Sequence, residues 1–281
     1  LIGDTLKPKL IFVIIFSLYF YYKSSGIYFL VLVSCTLMDY QLARAVAAAK
    51  TISIKKLLLA TSLVVNLGLL GYFKYTNFLF DLFSGLTGTD GRTFDIFLPV
   101  GISFFTFQSL SYTIDVYRGN LKPVESILDY AFYLSFFPQL VAGPIVRAAD
   151  FLPQIRKPAI VTSEMLGRGI FLIVTGLFKK AVISNYISLN FVDRVFDAPS
   201  LYSGLENLFA VYGYALQIYC DFSGYSDMAI GIALLLGFHF NLNFNSPYRS
   251  LNYYRVLEKV AYKSFLTWLR DYLYIFLLGG N

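Results

Sequence analysis

The sequence predicts an all-α fold, a polytopic membrane helical bundle with short, broken and re-entrant helices. Hydrophobic residues make up 57% of the chain and charged residues only 14%, whereas a soluble domain carries about 25% charged residues. The mean hydropathy of +0.62 leaves too little polar side chain to cover a soluble surface. Because no linker, repeat or low-complexity segment separates the apolar runs, we expect one membrane domain over residues 1–281.

Apolar runs along the chain define the candidate membrane helices. Most of them are shorter than the ~20 residues that an upright helix needs to cross ~30 Å of hydrocarbon. Short runs indicate local membrane thinning, re-entrant segments or helices shielded by their neighbours. The runs are Leu10–Tyr22, Ile27–Met38, Leu57–Phe73, Ile96–Ile114, Tyr130–Val146, Gly169–Leu189, Gly204–Tyr219, Met228–Phe238 and Phe265–Leu278.

Charged residues indicate which loops face the cytoplasm. Arg44, Lys50, Lys55 and Lys56 lie in one loop, which we interpret as cytoplasmic because basic loops stay on that side of a membrane. The next loop, 84–95, has one Arg and two Asp and is interpreted as external. The net charge of +6 is therefore explained by membrane topology, so membrane lipid is an expected partner and nucleic acid is not.

The run Tyr130–Val146 has basic residues beyond both of its ends, so both flanks claim the same side of the membrane. Pro138, Gly143 and Pro144 lie inside it, where they remove or expose backbone hydrogen bonds. We interpret this run as a broken, re-entrant segment. A plain kinked span is the alternative that the sequence leaves open.

The most polar stretch in an apolar region is Asp221–Asp227, with two carboxylates, two serines and a tyrosine. Ionisable groups at membrane depth are costly, so they normally face a bundle interior or an aqueous cavity. In a continuous helix the two carboxylates would point to different faces, but Gly224 permits a break that lets polar groups converge at a helix end. An interfacial loop in which Asp221 or Ser223 caps the following helix is the alternative.

Other chemistry finds little support in the sequence. Cys35, Cys220 and His239 stand alone, so we expect no metal site and interpret the cysteines as small buried side chains. Neither a glycine-rich phosphate loop nor a nucleophile elbow is present. Composition and spacing alone predict a membrane protein with a polar interior.

Five sequence blocks, taken together, carry a specific resemblance. They are LPVGISFFTFQSLSY at 98–112, FFPQLVAGPIVR at 136–147, LQIYCDFSGYSDMAIG at 216–231, NFNSPY at 243–248 and WLRDYLYI at 268–275. In this order the blocks resemble the membrane-bound O-acyltransferase family, of the bacterial alginate O-acetylation type. The resemblance covers nearly the whole chain.

The resemblance implies a helical membrane fold with a thinned centre and a central funnel. It implies transfer of an acyl group, often acetyl, from a cytoplasmic donor to an extracytoplasmic polysaccharide or acyl-transfer protein. The expected donor is acetyl-coenzyme A, with no bound cofactor, and the expected location is the bacterial inner membrane with several passes. The implied substrate-binding residues are Asp221, Ser223, Tyr225, Asp227, Asn245, Tyr248, Arg270 and Asp271.

The sequence departs from the family at its histidines. The family has Trp-His-x-Ser before the Arg-Asp-Tyr block, whereas here Tyr262 occupies the histidine position and Ser264 the serine position. A general base works best with a pKa near the working pH, and tyrosine has an unperturbed pKa of about 10. We therefore expect no catalytic residue and no transferase activity in this chain alone. A second family histidine would lie past Asn281, and both chain ends look cut from a longer protein.

Two other functions stay open at this level. One is a non-catalytic membrane scaffold or channel of a polysaccharide-acetylation complex, which would tolerate the loss of histidine. The other is an ion-coupled transporter that uses Asp221 and Asp227 as ion or proton sites. A transporter predicts that cation or proton binding changes when Asp221 becomes Asn.

Overall fold

The computed structural model describes residues 6–88, 93–140, 143–252 and 265–274, and every regular element in these ranges is helical. The α-helices are α1 Leu6–Ser25, α2 Phe29–Ala48, α3 Ile52–Leu70, α4 Thr76–Thr87, α5 Ile102–Arg118, α6 Ile127–Ser135, α7 Phe137–Leu140, α8 Ala148–Ile155, α9 Ser163–Leu177, α10 Asn185–Ile187, α11 Asp193–Asp197, α12 Gly204–Leu235 and α13 Phe265–Trp268. π-Helical segments cover Gly71–Tyr75, Phe178–Ser184, Ser188–Val192 and Leu269–Tyr274. Short 3₁₀ turns cover Gly26–Tyr28, Pro199–Leu201 and Pro247–Arg249.

Within the described residues, three helical stretches are long and apolar enough to cross a membrane: Lys7–Ala48, Ile52–Thr87 and Ser163–Asp197. Their outer faces carry large exposed apolar side chains such as Phe171, which is 66% exposed. Apolar surface on this scale needs lipid or another protein to cover it. The prediction of an all-α membrane protein is confirmed, and the funnel stays a prediction.

The helices group into two compact units. The first comprises Leu1–Val141 with Arg147–Lys157, and the second comprises Ala142–Val146 with Pro158–Asn281. In the first unit, α2 packs on α3 and α5, and aromatic side chains of α5, α6 and α8 form the core; for example, the rings of Phe132 and Phe151 stack 5.9 Å apart. The expectation of one membrane domain stays a prediction.

Several helices begin where the sequence supplies a cap. The hydroxyls of Thr51, Ser126 and Thr162 accept backbone N–H bonds at the starts of α3, α6 and α9, which satisfies donors that a helix leaves unpaired. Ser203 and Glu206 form a reciprocal capping box at the start of α12. Hydrogen bonds from the Ser203 side chain and backbone lower the pKa of the Glu206 carboxyl, because they stabilise its ionised form.

One segment differs from the sequence prediction, and another confirms it and adds detail. Residues 93–101 are not helical although the apolar run Ile96–Ile114 includes most of them, because Pro99 and a left-handed Gly101 (φ 71°) delay the start of α5 until Ile102. The run Tyr130–Val146 is broken, as expected: α6 ends at Ser135, α7 is four residues long, and residues 143–147 are not helical. A single kinked span is thereby excluded, and re-entry stays a prediction.

Candidate functional site

The polar stretch Asp221–Asp227 lies inside a continuous helix. The expected break at Gly224 is wrong, because α12 runs without interruption through Gly204–Leu235 and joins two of the apolar runs. Glycine serves here for close approach instead. A Cβ on Gly224 would lie 2.7 Å from the Gly176 carbonyl oxygen, and one on Gly231 would lie 2.6 Å from that of Gly169. α9 and α12 therefore cross antiparallel with their backbones touching.

This close crossing brings two lysines to the two carboxylates. Lys179 Nζ donates to Asp227 Oδ2 at 2.6 Å, and Lys180 Nζ donates to Asp221 Oδ1. The side chains of Lys179 and Asp227 are 29% and 15% exposed. Asp221 and Asp227 lie on different faces of α12. Lys179 and Lys180 are adjacent on the π-helical segment Phe178–Ser184 and also point in different directions, so each lysine reaches one carboxylate. The pairs neutralise charges that would otherwise be costly at membrane depth.

Neither lysine is among the predicted site residues. Lys179 and Lys180 are adjacent inside the apolar run Gly169–Leu189, and the two carboxylates lie between the apolar runs Gly204–Tyr219 and Met228–Phe238. Two cations and two anions within apolar segments predict mutual pairing, because neither charge is stable there alone. Opposite charges within apolar segments are thus the sequence signal that predicts the two lysines as partners of the two carboxylates.

The other polar residues of the stretch lie on the same part of α12. Ser223 is fully buried, and its Oγ has no hydrogen-bond partner among the described residues. The ammonium of Lys180 lies 5.1 Å from the centre of the Tyr225 ring, within cation–π range. Ser226 Oγ accepts a hydrogen bond of 3.0 Å from Asn243 Nδ2, which ties the chain after α12 back to the helix.

The next two predicted residues lie near the outside of the second unit. Asn245 is exposed. Tyr248 is 61% exposed, and its hydroxyl donates to the Ala215 carbonyl at 3.1 Å. Its ring packs edge-on against Tyr219 at 5.2 Å. The structure thus attaches Tyr248 to α12 at Ala215 and Tyr219, within two turns before Asp221.

Arg270 and Asp271 form an ion pair with each other, Nε to Oδ1 at 2.7 Å, with Arg270 65% exposed. Tyr262 and Ser264, which occupy the positions of the family's histidine and serine, lie outside the described residues. The expectation that this chain has no catalytic residue therefore stays a prediction. So does the assignment of substrate binding to the eight residues.

A wet passage beside the carboxylates also stays a prediction. An open groove of about 610 Å³ lies in the second unit between α12 and the helical turns at 186–191. Its lining is almost entirely apolar and includes Phe209, Tyr212 and Leu216, but neither Asp221 nor Asp227. The charged pairs therefore stand apart from this groove.

A second polar cluster, which the sequence analysis did not single out, lies in the first unit around Asp39 of α2. Ser62 Oγ donates to Asp39 Oδ1 at 2.6 Å, and Asn66 Nδ2 donates to both carboxylate oxygens at 2.9 and 3.0 Å. Ser109 Oγ donates to Oδ2 and lies 2.9 Å from the Tyr130 hydroxyl. Asp39, Ser62, Asn66 and Ser109 are fully buried. Side chains of α3 and α5 thus bind the carboxylate of α2 directly, and Tyr130 of α6 reaches it through Ser109.

Comparison with known proteins identifies the family to which the chain is similar. The model of the membrane-bound O-acyltransferase family matches residues 121–280. A peptidoglycan O-acetyltransferase of Helicobacter pylori is 35% identical over 99% of the chain and 57% of its own length. A probable alginate O-acetylase of Pseudomonas aeruginosa is 38% identical over 90% of the chain and 49% of its own length.

A more distant relative is a teichoic acid D-alanyltransferase of Bacillus subtilis, 28% identical over 63% of the chain and 45% of its own length. The chain spans about half the length of the curated relatives that it matches. The family match covers α6 to α13, including the lysine–aspartate pairs. The predicted resemblance is confirmed: the chain belongs to the membrane-bound O-acyltransferase family.

Proposed function

We propose that the protein takes part in moving an acyl group, in the first place acetyl, from acetyl-coenzyme A to an extracytoplasmic polysaccharide in the bacterial inner membrane. The observation that carries this proposal is the similarity to a peptidoglycan O-acetyltransferase along 99% of the chain. Relatives named for alginate O-acetylation and teichoic acid D-alanylation share the same pattern of acyl transfer to a polymer. A carrier protein or the polymer itself is the acyl acceptor.

The reaction requires one bond to form and one to break. An acceptor hydroxyl oxygen attacks the thioester carbonyl, the new ester C–O bond forms, and the C–S bond breaks. The hydroxyl proton must leave and the thiolate must gain one, so a base in contact with the hydroxyl accelerates the step by about 10²–10⁴-fold. Since Tyr262 stands where the family has histidine, we expect the 281-residue chain alone to be inactive.

The lysine–aspartate pairs support a structural role beside the reaction path. Each carboxylate already has an ammonium partner, so the site offers no net negative charge to a metal or alkali cation. This disfavours an ion-coupled transporter that would load cations on Asp221 and Asp227. The pairs hold the π-helical segment against α12 and thereby fix the position of Ser223 and Tyr225, the proposed substrate-side residues.

Acyl transfer is best tested on the full reading frame in inside-out membrane vesicles. Acetyl-labelled coenzyme A is supplied outside, with alginate or peptidoglycan enclosed, and acetyl ester in the polymer is measured. We expect little label in the polymer with the unaltered protein, because Tyr262 stands where the family has histidine. Tyr262→His in the full reading frame should raise the rate by about 10²-fold or more. Absence of label with both polymers, also after Tyr262→His, would contradict the proposal.

Asp221→Asn serves as the matched control for the transporter. Acyl transfer predicts no proton or cation uptake that depends on this residue. Vesicle uptake of sodium ions or protons that is lost in Asp221→Asn would replace the transferase proposal with a transport function.

A further inference from the structure

The apolar groove of the second unit runs along α12 from the first turn of that helix. Its volume is about 610 Å³, and one of its walls consists of Glu206, Phe209, Gly213 and Leu216. These residues follow one another at steps of three, four and three, so they share one face of α12. The two walls meet at Gly213, where a Cβ would lie 3.1 Å from Val192 Cγ2.

The groove lies in an apolar, membrane-spanning part of the unit. Its other wall is formed by the helical turns at 186–191, which belong to the candidate membrane span Ser163–Asp197. Phe209 is 56% exposed and Leu216 is 40% exposed, so the groove is open to its surroundings. An open apolar groove at this depth is covered by lipid or by another protein segment.

The dimensions of the groove fit an acyl chain. From Glu206 to Leu216 the helix rises about 15 Å, which is half of the ~30 Å hydrocarbon core and equals the depth of one leaflet. The volume divided by this length gives a mean cross-section of about 40 Å². An α-helix with its side chains has a cross-section of roughly 80–110 Å². The groove is therefore too narrow to enclose a second helix, whereas an extended acyl chain fits.

The end of the groove at the first turn of α12 is negative. Glu206 is exposed, and its Oε2 accepts from the backbone N–H and from the hydroxyl of Ser203. Its Oε1 has no hydrogen-bond partner, and the carboxylate makes no ion pair, within the part of the chain that the structure describes. Residues 193–206 contain three carboxylates and one arginine, a net charge of −2. A cationic group is favoured at this end, and an anionic group is repelled.

We propose that this groove binds one acyl chain of a phospholipid with an ammonium headgroup, represented by phosphatidylethanolamine, whose ammonium contacts Glu206. An ammonium has three N–H donors, one of which reaches Glu206 Oε1 as a charge-assisted hydrogen bond. The acyl chain lies along Phe209 and Leu216 and covers their apolar surface. Binding of this lipid is independent of acyl transfer and would hold for a chain that transfers nothing.

Native mass spectrometry of the full chain in detergent micelles tests the lipid preference. The probes are phosphatidylethanolamine, phosphatidylcholine and phosphatidylglycerol with identical oleoyl chains. We expect one phosphatidylethanolamine per chain with the lowest Kd. Phosphatidylcholine should bind about 10-fold more weakly, because its quaternary ammonium has no N–H to donate. Phosphatidylglycerol should bind more weakly still, since its headgroup carries no cation.

Glu206→Gln tests the headgroup contact. Glutamine removes the charge and still completes a capping box with Ser203, so the start of α12 is retained. We expect the Kd of phosphatidylethanolamine to rise by about 10-fold and its preference over phosphatidylcholine to disappear. Glu164→Gln is the matched control and should change neither, because Glu164 is an exposed glutamate in the first turn of α9 that does not line the groove.

Leu216→Asn tests the contact with the acyl chain. An amide in this apolar wall should raise the Kd of all three lipids by about 10-fold, because the chain then covers a polar group. Leu208→Asn is its control, since Leu208 is 50% exposed on the same helix but does not line the groove.

Several outcomes would overturn this lipid site. They are equal binding of phosphatidylethanolamine and phosphatidylglycerol to the wild type, a Kd that Glu206→Gln leaves unchanged, and equal effects of the two asparagine variants. A dimer of the chain that Leu216→Asn dissociates and Leu208→Asn does not would assign the groove to a second copy instead. Thermal unfolding shows whether each variant keeps its fold, and the comparison of the three lipids on the wild type decides without any variant.

Discussion

At the scale of single residues, the lysine–aspartate pairs explain how α12 carries two carboxylates through an apolar region. The sequence predicts that Asp221 and Asp227 are special, because ionisable groups are rare at membrane depth. It does not identify their partners, which lie 41 and 48 residues away along the chain. Pairing over such separations depends on how two helices cross, and local patterns carry no information on that geometry.

The pair between Lys179 and Asp227 is expected to be asymmetric. Lys179→Met leaves a carboxylate that is only 15% exposed without its cation, and we expect a loss of about 1–3 kcal/mol in the free energy of unfolding. Asp227→Asn should cost less, because the freed lysine can extend toward the aqueous interface. Denaturant titration of both variants and of the double variant, in detergent micelles, measures the difference. Equal losses in the two single variants would contradict this account.

Asp39 accepts hydrogen bonds from three side chains of the first unit. Asp39→Leu leaves the hydroxyls of Ser62 and Ser109 and the amide of Asn66 without their acceptor, so we expect a loss of about 3 kcal/mol or more. Asp39→Asn keeps one acceptor and should lose less. Asp81→Asn, an exposed position on α4, is the control and should change the unfolding midpoint little. An Asp39→Leu protein as stable as wild type would refute the role of this cluster.

At the scale of elements, glycine decides how α9 meets α12. In the sequence, Gly224 permits a break in the helix, because glycine is permissive in the backbone. In the structure the missing Cβ serves packing: the Gly176 and Gly224 backbones touch, as do those of Gly169 and Gly231. Small residues that let helices approach are frequent in membrane proteins. Whether a glycine breaks its helix or lets it pack closely depends on the partner helix, here α9, which lies far from Gly224 in the sequence.

Alanine substitutions test this crossing. A Cβ on Gly176 would lie 2.5 Å from the Gly224 carbonyl oxygen, so Gly176→Ala must push the helices apart, and we expect a loss of about 1–3 kcal/mol. Gly167→Ala is the matched control on the same helix, because its Cβ would meet nothing within 4 Å. It should stabilise α9 by up to about 1 kcal/mol. Thermal unfolding followed by circular dichroism compares the two, and a harmless Gly176→Ala would exclude the close crossing.

At the scale of the whole molecule, composition was sufficient to predict that the protein lies in a lipid membrane. The three long apolar helices follow from hydropathy, and the broken segment after Tyr130 follows from Pro138, Gly143 and Pro144. Residues 96–101, which are not helical, were included in the candidate helix Ile96–Ile114 because they are as apolar as the helix that follows them. Hydropathy reports burial in lipid, whereas Pro99 and Gly101 determine where the helix starts.

Cysteine accessibility tests the predicted sidedness of the first unit. The native cysteines, Cys35 and Cys220, are buried, so introduced thiols report their own position. Lys50→Cys should react with a membrane-impermeant maleimide only from the cytoplasmic side, and Leu86→Cys, at a position 79% exposed, only from outside. Labelling of intact cells and of inverted vesicles gives the two measurements. Reaction of both thiols from the same side would overturn the assignment.

The π-helical segment that follows Gly176 has a consequence for the evolution of the chain. Such a turn accommodates one more residue than the α-helical turn it replaces, so deleting one residue within Phe178–Ser184 would restore an α-helical turn and keep the flanking stretches in phase. The glycines before the turn would stay in contact with α12, but Lys179 and Lys180, which lie inside the turn, would change direction relative to their carboxylates. Homologous chains can thus lose one residue here and keep the helix crossing, provided that the ion pairs are compensated on α12.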